Sequence, residues 1–353
     1  MLLLICIFFA QANCNELNLV LMFIPLPIKA VENYIDRVSS PVLVAGAVIA
    51  IPSLVFHSLT GALYPADIAP WDKDPLEITG LVLLMSFMPA YLAMCFVATT
   101  RLSRVMHRNL KTILPADFEL DGMVYRWGKG WPLALAVSLC YAFGFNIGWY
   151  SMSLSPDDPR FGVSFSIVVG QSLVWGVGGT LLYFKVHEAL VLHRLGKIVQ
   201  FDLYYIDALN DFGKTALNGF LIIVGVIALT FLQSINQTFV LENYANAFIV
   251  VIPAIFVMVP LPIWSIHRRI QQAKIELLTQ IDSNIIHASK ALEGEDLHLL
   301  NSLMQRREHI QKMRNWPMDF SISTKFFLYV FIVPMAWAGA ALMEILLDTV
   351  LGI

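Results

Sequence analysis

The chain has 353 residues, of which 58% are hydrophobic and only 14% charged, with a formal net charge of −3. A soluble domain carries about 25% charged residues, so the composition excludes an ordinary soluble protein. The slightly acidic balance argues against a nucleic-acid partner. The four cysteines form no C-x-x-C pair, so neither a disulfide framework nor a zinc site is predicted.

The N-terminal segment, residues 1–40, has two interpretations. It begins with the apolar MLLLICIFFA, which lacks the basic residues that open a signal peptide. Residues 11–18 are polar and would be costly in hydrocarbon. We therefore expect an interfacial or broken helix. The alternative is an additional span that would put the N-terminus outside.

Apolar runs long enough to cross a ~30 Å hydrocarbon core as helices recur along the rest of the chain. They are 41–63, 78–99, 131–151, 163–184, 215–235, 245–264 and 326–348. No soluble domain remains once these runs are removed, so residues 1–353 form a single membrane domain. The sequence predicts an all-α, polytopic membrane bundle of about seven transmembrane helices.

Basic residues are concentrated in alternate connectors. Of the 23 Lys and Arg residues, 21 lie in residues 29–40, 100–130, 185–214 and 265–325. The positive-inside rule places these connectors in the cytoplasm and the C-terminus outside. Along 185–205, apolar residues recur at helical spacing and predict that the fourth span continues beyond residue 184. The apolar face carries Ala189, Leu192, Leu195 and Val199, and the remaining faces carry His187, Glu188, Arg194 and Lys197.

The connector 265–325 is the most structured. Its first half has an apolar stripe at spacings of three and four, typical of an amphipathic helix. The stripe comprises Ile266, Ile270, Ala273, Leu277, Ile281, Ile285, Ala288 and Leu292. EGED (293–296) breaks it, and a return helix is predicted from Leu299, Leu300, Leu303, Ile310 and Met313. We expect an antiparallel cytoplasmic hairpin with Leu277 and Ile281 in its seam. Pro253, Pro260 and Pro262 should kink the span that leads into it.

Few candidate functional residues lie inside the spans. His57 and Glu344 are the ionisable ones, both near the outer ends of their spans and therefore expected to be partly hydrated. An intramembrane ionisable residue is a functional hypothesis by default. Uncharged polar residues either bind neighbouring helices or line a path through the bundle; these are Asn146, Gln171, Asn218 and Gln233.

Several chemistries are not supported. His187 and His193 are six residues apart, whereas a zinc-binding HExxH motif has its histidines four apart. No phosphate-binding glycine loop and no nucleophile elbow occurs in a suitable context. No carboxylate is expected near the middle of a span, which weakens proton-coupled transport. We therefore predict no enzyme activity, no catalytic residues, no cofactor and no metal.

Three stretches resemble a group of uncharacterised bacterial multi-pass inner-membrane proteins. They are HRLGKIVQFDLYYIDALNDFGKTALNG, PLPIWSIHRRIQQAKIEL and NWPMDFSISTKFFLYVFIVPMAWAGAALMEILLD. The resemblance implies a bacterial inner membrane but no activity and no functional residues. In topology alone, the arrangement is also similar to that of insect chemoreceptor channels.

The expected function is that of a non-enzymatic scaffold, sensor or channel-like bundle that associates through its spans and its hairpin. The expected partners are the lipid bilayer, further copies of the chain and a cytoplasmic protein at the hairpin. The alternative is a transporter for a neutral or lipidic substrate.

Overall fold

A computed structural model describes residues 26–65, 75–111, 113–114, 130–144, 154–199, 201, 203, 209–234, 241–290, 296–319, 321–329 and 331. Every regular element in these ranges is helical. The predictions for residues 1–25, Asn146 and Glu344 lie outside the described residues, as does most of the run 326–348.

The helices follow one another along the chain with no strand between them in the described ranges. They are α1 Leu26–Arg37, α2 Pro41–Leu59, α3 Pro75–Lys111, α4 Trp131–Gly144, α5 Phe161–Leu195, α6 Asn210–Thr230, α7 Leu241–Met258, α8 Pro260–Lys290 and α9 Asp296–Lys312. A 3-10 turn, Phe231–Ser234, extends α6.

Within the described residues, five helical segments are long and apolar enough to cross a membrane. They are Pro41–Leu59, Pro75–Lys111, Phe161–Leu195, Asn210–Gln233 and Ile249–Ser289. Each overlaps one of the predicted runs. Helix α4 is a shorter apolar helix. The chain is therefore an all-α protein with several apolar helices, as expected of a multi-pass membrane protein.

Helices α3 and α5 are much longer than the apolar runs that predicted them, with 37 and 35 residues. At 1.5 Å per residue they are about 50–55 Å long, whereas the hydrocarbon core is ~30 Å thick. Their charged C-terminal ends therefore extend beyond a membrane core. The predicted continuation of α5 is present, but Glu188, which was expected on a face other than the apolar one, is 2% exposed.

The largest apolar cluster lies at these charged ends and not in the middle of the bundle. It joins α3, α5, α6 and α8 through Met106, Leu110, Val191, Leu192, Leu195, Val199, Leu203, Leu209, Phe212, Ala216, Ile263, Ile266 and Ile270. The ends of three apolar helices and the beginning of α8 are thus packed as one unit.

A glycine allows α4 to approach α5. A Cβ atom added at Gly179 would lie 2.7 Å from Cβ of Ser138, closer than two carbon atoms can pack. Any larger residue at 179 would therefore separate the two helices.

Helices α7 and α8 are separated at Val259, immediately before Pro260, within the segment where the prolines predicted a kink. Helix α9 runs back along α8: Arg307 Nε donates to Asp282 Oδ1 at 2.6 Å, and Lys274 Nζ donates to the Met313 carbonyl at 3.0 Å.

On the facing sides of α8 and α9, Ile281 and Ile310 are buried and Leu277 is half-buried. Leu299 does not share this face, because 51% of it is exposed. Leu300 and Leu303 are only partly exposed, so the buried face of α9 begins one residue later than the stripe predicted.

Candidate functional site

One face of α3 carries a polar side chain every four residues: Tyr91, Cys95, Thr99 and Ser103. Residues at this spacing lie above one another on a helix. The hydrogen bonds of these residues show that this face of α3 meets α5 and α6. We call these four residues and their partners the polar seam.

Helix α6 supplies the hydrogen-bond partners of Tyr91 and Thr99. The Tyr91 hydroxyl donates to the Leu221 carbonyl at 2.9 Å, and the Asn218 amide donates to Thr99 Oγ1 at 2.9 Å. A side chain that donates across helices satisfies a polar group that lipid would leave without a partner. Asn218, one of the predicted polar sites, therefore belongs to the seam.

An ion pair on α5 lies at the next level. Lys185 Nζ is 2.5 Å from Glu188 Oε2, and each side chain is 2% exposed. The other oxygen of the carboxylate, Oε1, accepts a hydrogen bond of 2.5 Å from Ser103 Oγ. Lys185 is also close enough to interact electrostatically with the Cys95 thiol. The pair is thus enclosed by α3 and α5.

The sequence does not predict this ion pair, because the predicted span ends at residue 184 and Glu188 is assigned to a face other than the apolar one. The signal was nevertheless present. Lys185 and Glu188 precede Leu192 and Leu195 at spacings of three and four, which puts all of them on one helical face. That face is the buried one.

The burial of two charges requires an explanation other than stability. Transferring each ion out of water costs several kcal/mol, and an apolar pair of similar volume is often at least as stabilising. Natural proteins concentrate such departures from the usual rules of burial at functional sites. This makes Lys185 and Glu188 the strongest candidate functional residues in the described chain.

The seam extends to the end of α3. Asn109 Nδ2 donates to Asp211 Oδ2 at 2.6 Å, and Lys214 Nζ donates to Asp211 Oδ1 at 2.8 Å. The Asp211 side chain is 8% exposed and that of Lys214 is 49% exposed. Asp211 lies in the first turn of α6, where the helix dipole favours a negative charge. Here the seam reaches solvent through Lys214.

His57 lies away from the seam, and the expectation that it is partly hydrated is wrong, because it is 0% exposed. It shares the buried face of α2 with Ser53, one turn earlier, and this face is turned towards α3 and α5. His57 Nδ1 is hydrogen-bonded to Ser166 Oγ of α5, and Ser53 Oγ is 3.5 Å from Ser86 Oγ of α3. His57 Nε2 has no hydrogen-bond partner among the described residues.

Two other predicted polar sites lie on α5 and immediately after α6. Gln171 Oε1 accepts from Trp175 Nε1 of the same helix at 2.9 Å. Gln233 lies in the 3-10 turn that follows α6. Among the predicted sites, Asn218 contacts the seam through its hydrogen bond to Thr99.

No group of three His, Cys, Asp or Glu side chains in the described ranges could hold a metal ion. Cys95 and Cys140 are free thiols. Comparisons of the chain with family models, with curated proteins and with solved structures find no match. Function therefore has to be inferred from the polar seam and its surroundings.

Proposed function

We propose that the protein is a non-enzymatic, multi-pass protein of the bacterial inner membrane, and that it acts as a scaffold, sensor or channel-like bundle. In this proposal seven helices span the membrane and the long basic connectors are cytoplasmic. Helices α8 and α9 form a cytoplasmic hairpin, and the C-terminus is outside. The chain associates with further copies through its spans and binds a cytoplasmic protein at the hairpin.

Of these roles, a sensor has the most support from the geometry. The observation that carries it is the hydrogen bond from Ser103 to Glu188, which joins α3 to α5 beside a buried ion pair. The same two helices then contribute Met106, Leu110 and Leu192 to the cluster that holds the beginning of α8. Packed helices move as units because interiors are not continuously deformable. A change at the ion pair would therefore be transmitted to α8 and α9.

The substitution Ser103→Ala tests this role, because it removes the bond between the helices and leaves the ion pair intact. Hydrogen exchange of the full chain in lipid nanodiscs should become faster in residues 260–312. Ser172→Ala is the matched control, since the Ser172 hydroxyl donates only within α5, to Val168. Unchanged exchange in 260–312 of a folded Ser103→Ala variant would contradict a sensor role.

The proposed orientation has its own test. A reporter fused after Arg314 should be active only in its cytoplasmic form, and one fused after Ile353 only in its external form. The charge distribution motivates this expectation. The reverse pattern would contradict the orientation.

The second candidate function is a transporter for a neutral or lipidic substrate. Two observations favour it: the seam puts polar groups between three apolar helices, and His57 Nε2 is buried without a hydrogen-bond partner in the described chain. Proteoliposomes with a fluorescent lipid analogue would show flux that Asn218→Leu reduces. Absence of flux for lipid and for small neutral solutes would exclude this function. Asn146 and Glu344 remain candidates for such a path.

A further inference from the structure

The C-terminal end of α5 and the beginning of α8 are in direct contact. A Cβ atom added at Gly196 would lie 2.2 Å from Ser265 Oγ and 3.1 Å from the backbone nitrogen of Ile266. One turn earlier, His193 Nδ1 is 3.3 Å from the Leu261 carbonyl oxygen. This contact brings basic residues of the two helices to the same surface.

The basic residues of this surface lie close to one another. Lys197 and Arg268 both interact electrostatically with His193. The Arg269 guanidinium donates a hydrogen bond to the Lys197 carbonyl. Lys197 and Arg268 are exposed, and Arg269 is partly so. Three permanent cations and a histidine therefore surround a small area.

These cations are not neutralised within the described chain. None of its ion pairs involves Lys197, Arg268 or Arg269. Elsewhere the chain places acids beside its basic groups, as in Arg104 with Asp36 and Arg307 with Asp282. Concentrated positive charge without an internal counter-charge attracts an anionic ligand.

Exposed aromatic side chains lie beside the cations of this surface. The Arg268 guanidinium lies 5.2 Å from the centre of the Trp264 ring, and Trp264 is 44% exposed. Beside it, His267 is stacked on Trp316, which is 41% exposed, with ring centres 3.8 Å apart. Exposed tryptophans next to Lys and Arg at the ends of apolar helices are typical of the headgroup level.

We propose that Lys197, Arg268 and Arg269, with Trp264, form a binding site for the phosphate group of an anionic phospholipid. The cations supply charge-assisted hydrogen bonds to the phosphate oxygens. Trp264 and the exposed Ile198 provide apolar surface for the glycerol and the upper acyl chains. A lipid fits better than a soluble phosphate because the site combines cations with exposed apolar rings at the end of the apolar helices.

Native mass spectrometry of the full chain in neutral detergent tests the site, with titration by phosphatidylglycerol or phosphatidylcholine. We expect bound phosphatidylglycerol to be retained more strongly. Arg268→Gln and Lys197→Gln should each weaken its binding about fivefold, the usual effect of one basic residue near an anionic surface. Lys312→Gln removes the same charge from α9, where Lys312 is paired with Glu308, and should leave binding unchanged.

Three outcomes would overturn the proposal. They are equal retention of the two lipids, unchanged affinity in both variants, and displacement of the lipid by inorganic phosphate, which would indicate a soluble anion instead. Lys197 lies in an exposed turn, so Lys197→Gln provides the same test if Arg268→Gln does not fold.

Discussion

Two Lys–Glu pairs of this chain have the same chemistry and opposite surroundings. Lys185 and Glu188 are 2.5 Å apart with both side chains 2% exposed. Lys312 and Glu308 are 2.6 Å apart, with side chains 73% and 63% exposed. Each pair lies within about one turn of a single helix. Because their geometry is similar, the distance between the two charges does not determine how much each pair contributes to stability. That contribution depends on how far the pair is exposed to solvent.

The regions that contain these pairs differ in the same way. In the bundle, polar groups lie inside and apolar side chains such as Leu43, Ile51 and Phe256 are 67%, 61% and 70% exposed. In α8 and α9 beyond Ile270, the exposed positions are mainly polar. A bundle surrounded by lipid and a helix pair surrounded by water would have these two patterns. Substitutions in the two regions should therefore differ in their effects.

The largest effect is expected for Lys185→Met. It leaves the Glu188 carboxylate buried without its counter-charge, which typically costs about 3–5 kcal/mol. The unfolding free energy in detergent should fall by that amount, and Lys185→Met/Glu188→Leu should recover most of it. If Lys312→Met lowers the unfolding free energy by the same amount, burial does not explain how much each pair contributes to stability.

A smaller but still large effect is expected for Ile281→Asp, which puts an unpaired carboxylate between α8 and α9. Ile281 is 4% exposed, and burying such a group costs several kcal/mol. Limited proteolysis should then cleave within residues 260–312. Ile275→Asp is the control, because Ile275 is 63% exposed on the same helix. Equal protease resistance of Ile281→Asp and the unmodified chain would show that α8 and α9 are not packed together at Ile281.

An intermediate effect is expected for Asn218→Leu. The substitution removes the hydrogen bond to Thr99, and such bonds between membrane helices contribute about 0.6 kcal/mol on average. The midpoint of thermal unfolding in detergent should fall by about 1–2 °C. Gln171→Leu removes a bond within one helix and should shift it less. A larger shift for Gln171→Leu would show that the hydrogen bond between helices is not more stabilising than one within a single helix.

The smallest effect is expected for Glu308→Gln. The Lys312 ammonium lowers the pKa of Glu308, so any stabilisation is present above the ordinary glutamate pKa and is lost as the pH falls through the lowered value. Since both side chains are exposed, solvent screens the pair. Stability at neutral pH should be unchanged within error. A clear loss would mean that α9 is covered by a partner in the assembled protein.

Local periodicity predicted the helices better than it predicted their ends. The stripe through Leu192 and Leu195 correctly extended α5 beyond its apolar run. Glu188 lies on the same helical face as this stripe, so its assignment to another face is wrong. Hydropathy alone cannot identify a buried charge, because the compensating group is Lys185 together with a serine on another helix.

His57 illustrates the same limit. Its position near the end of an apolar run predicted partial hydration, whereas helix packing encloses it against Ser166, which is 109 residues away in the chain. A residue's depth in a run can be counted from the sequence. The sequence does not show which side of a helix packs against a neighbour when most of its sides are apolar.

Local sequence patterns predicted the helical class, the positions of five apolar helices, a kink near Pro260 and the buried face of α8. All of these depend on periodicity, on backbone restrictions and on the cost of exposing apolar groups, which act over a few residues. Which polar groups meet depends instead on how the helices pack. Ser103 and Glu188 are 85 residues apart, and Thr99 and Asn218 are 119 apart. Each of these side chains could form a hydrogen bond with many other polar groups. The packing of α3 against α5 and α6 selects the partner that is found.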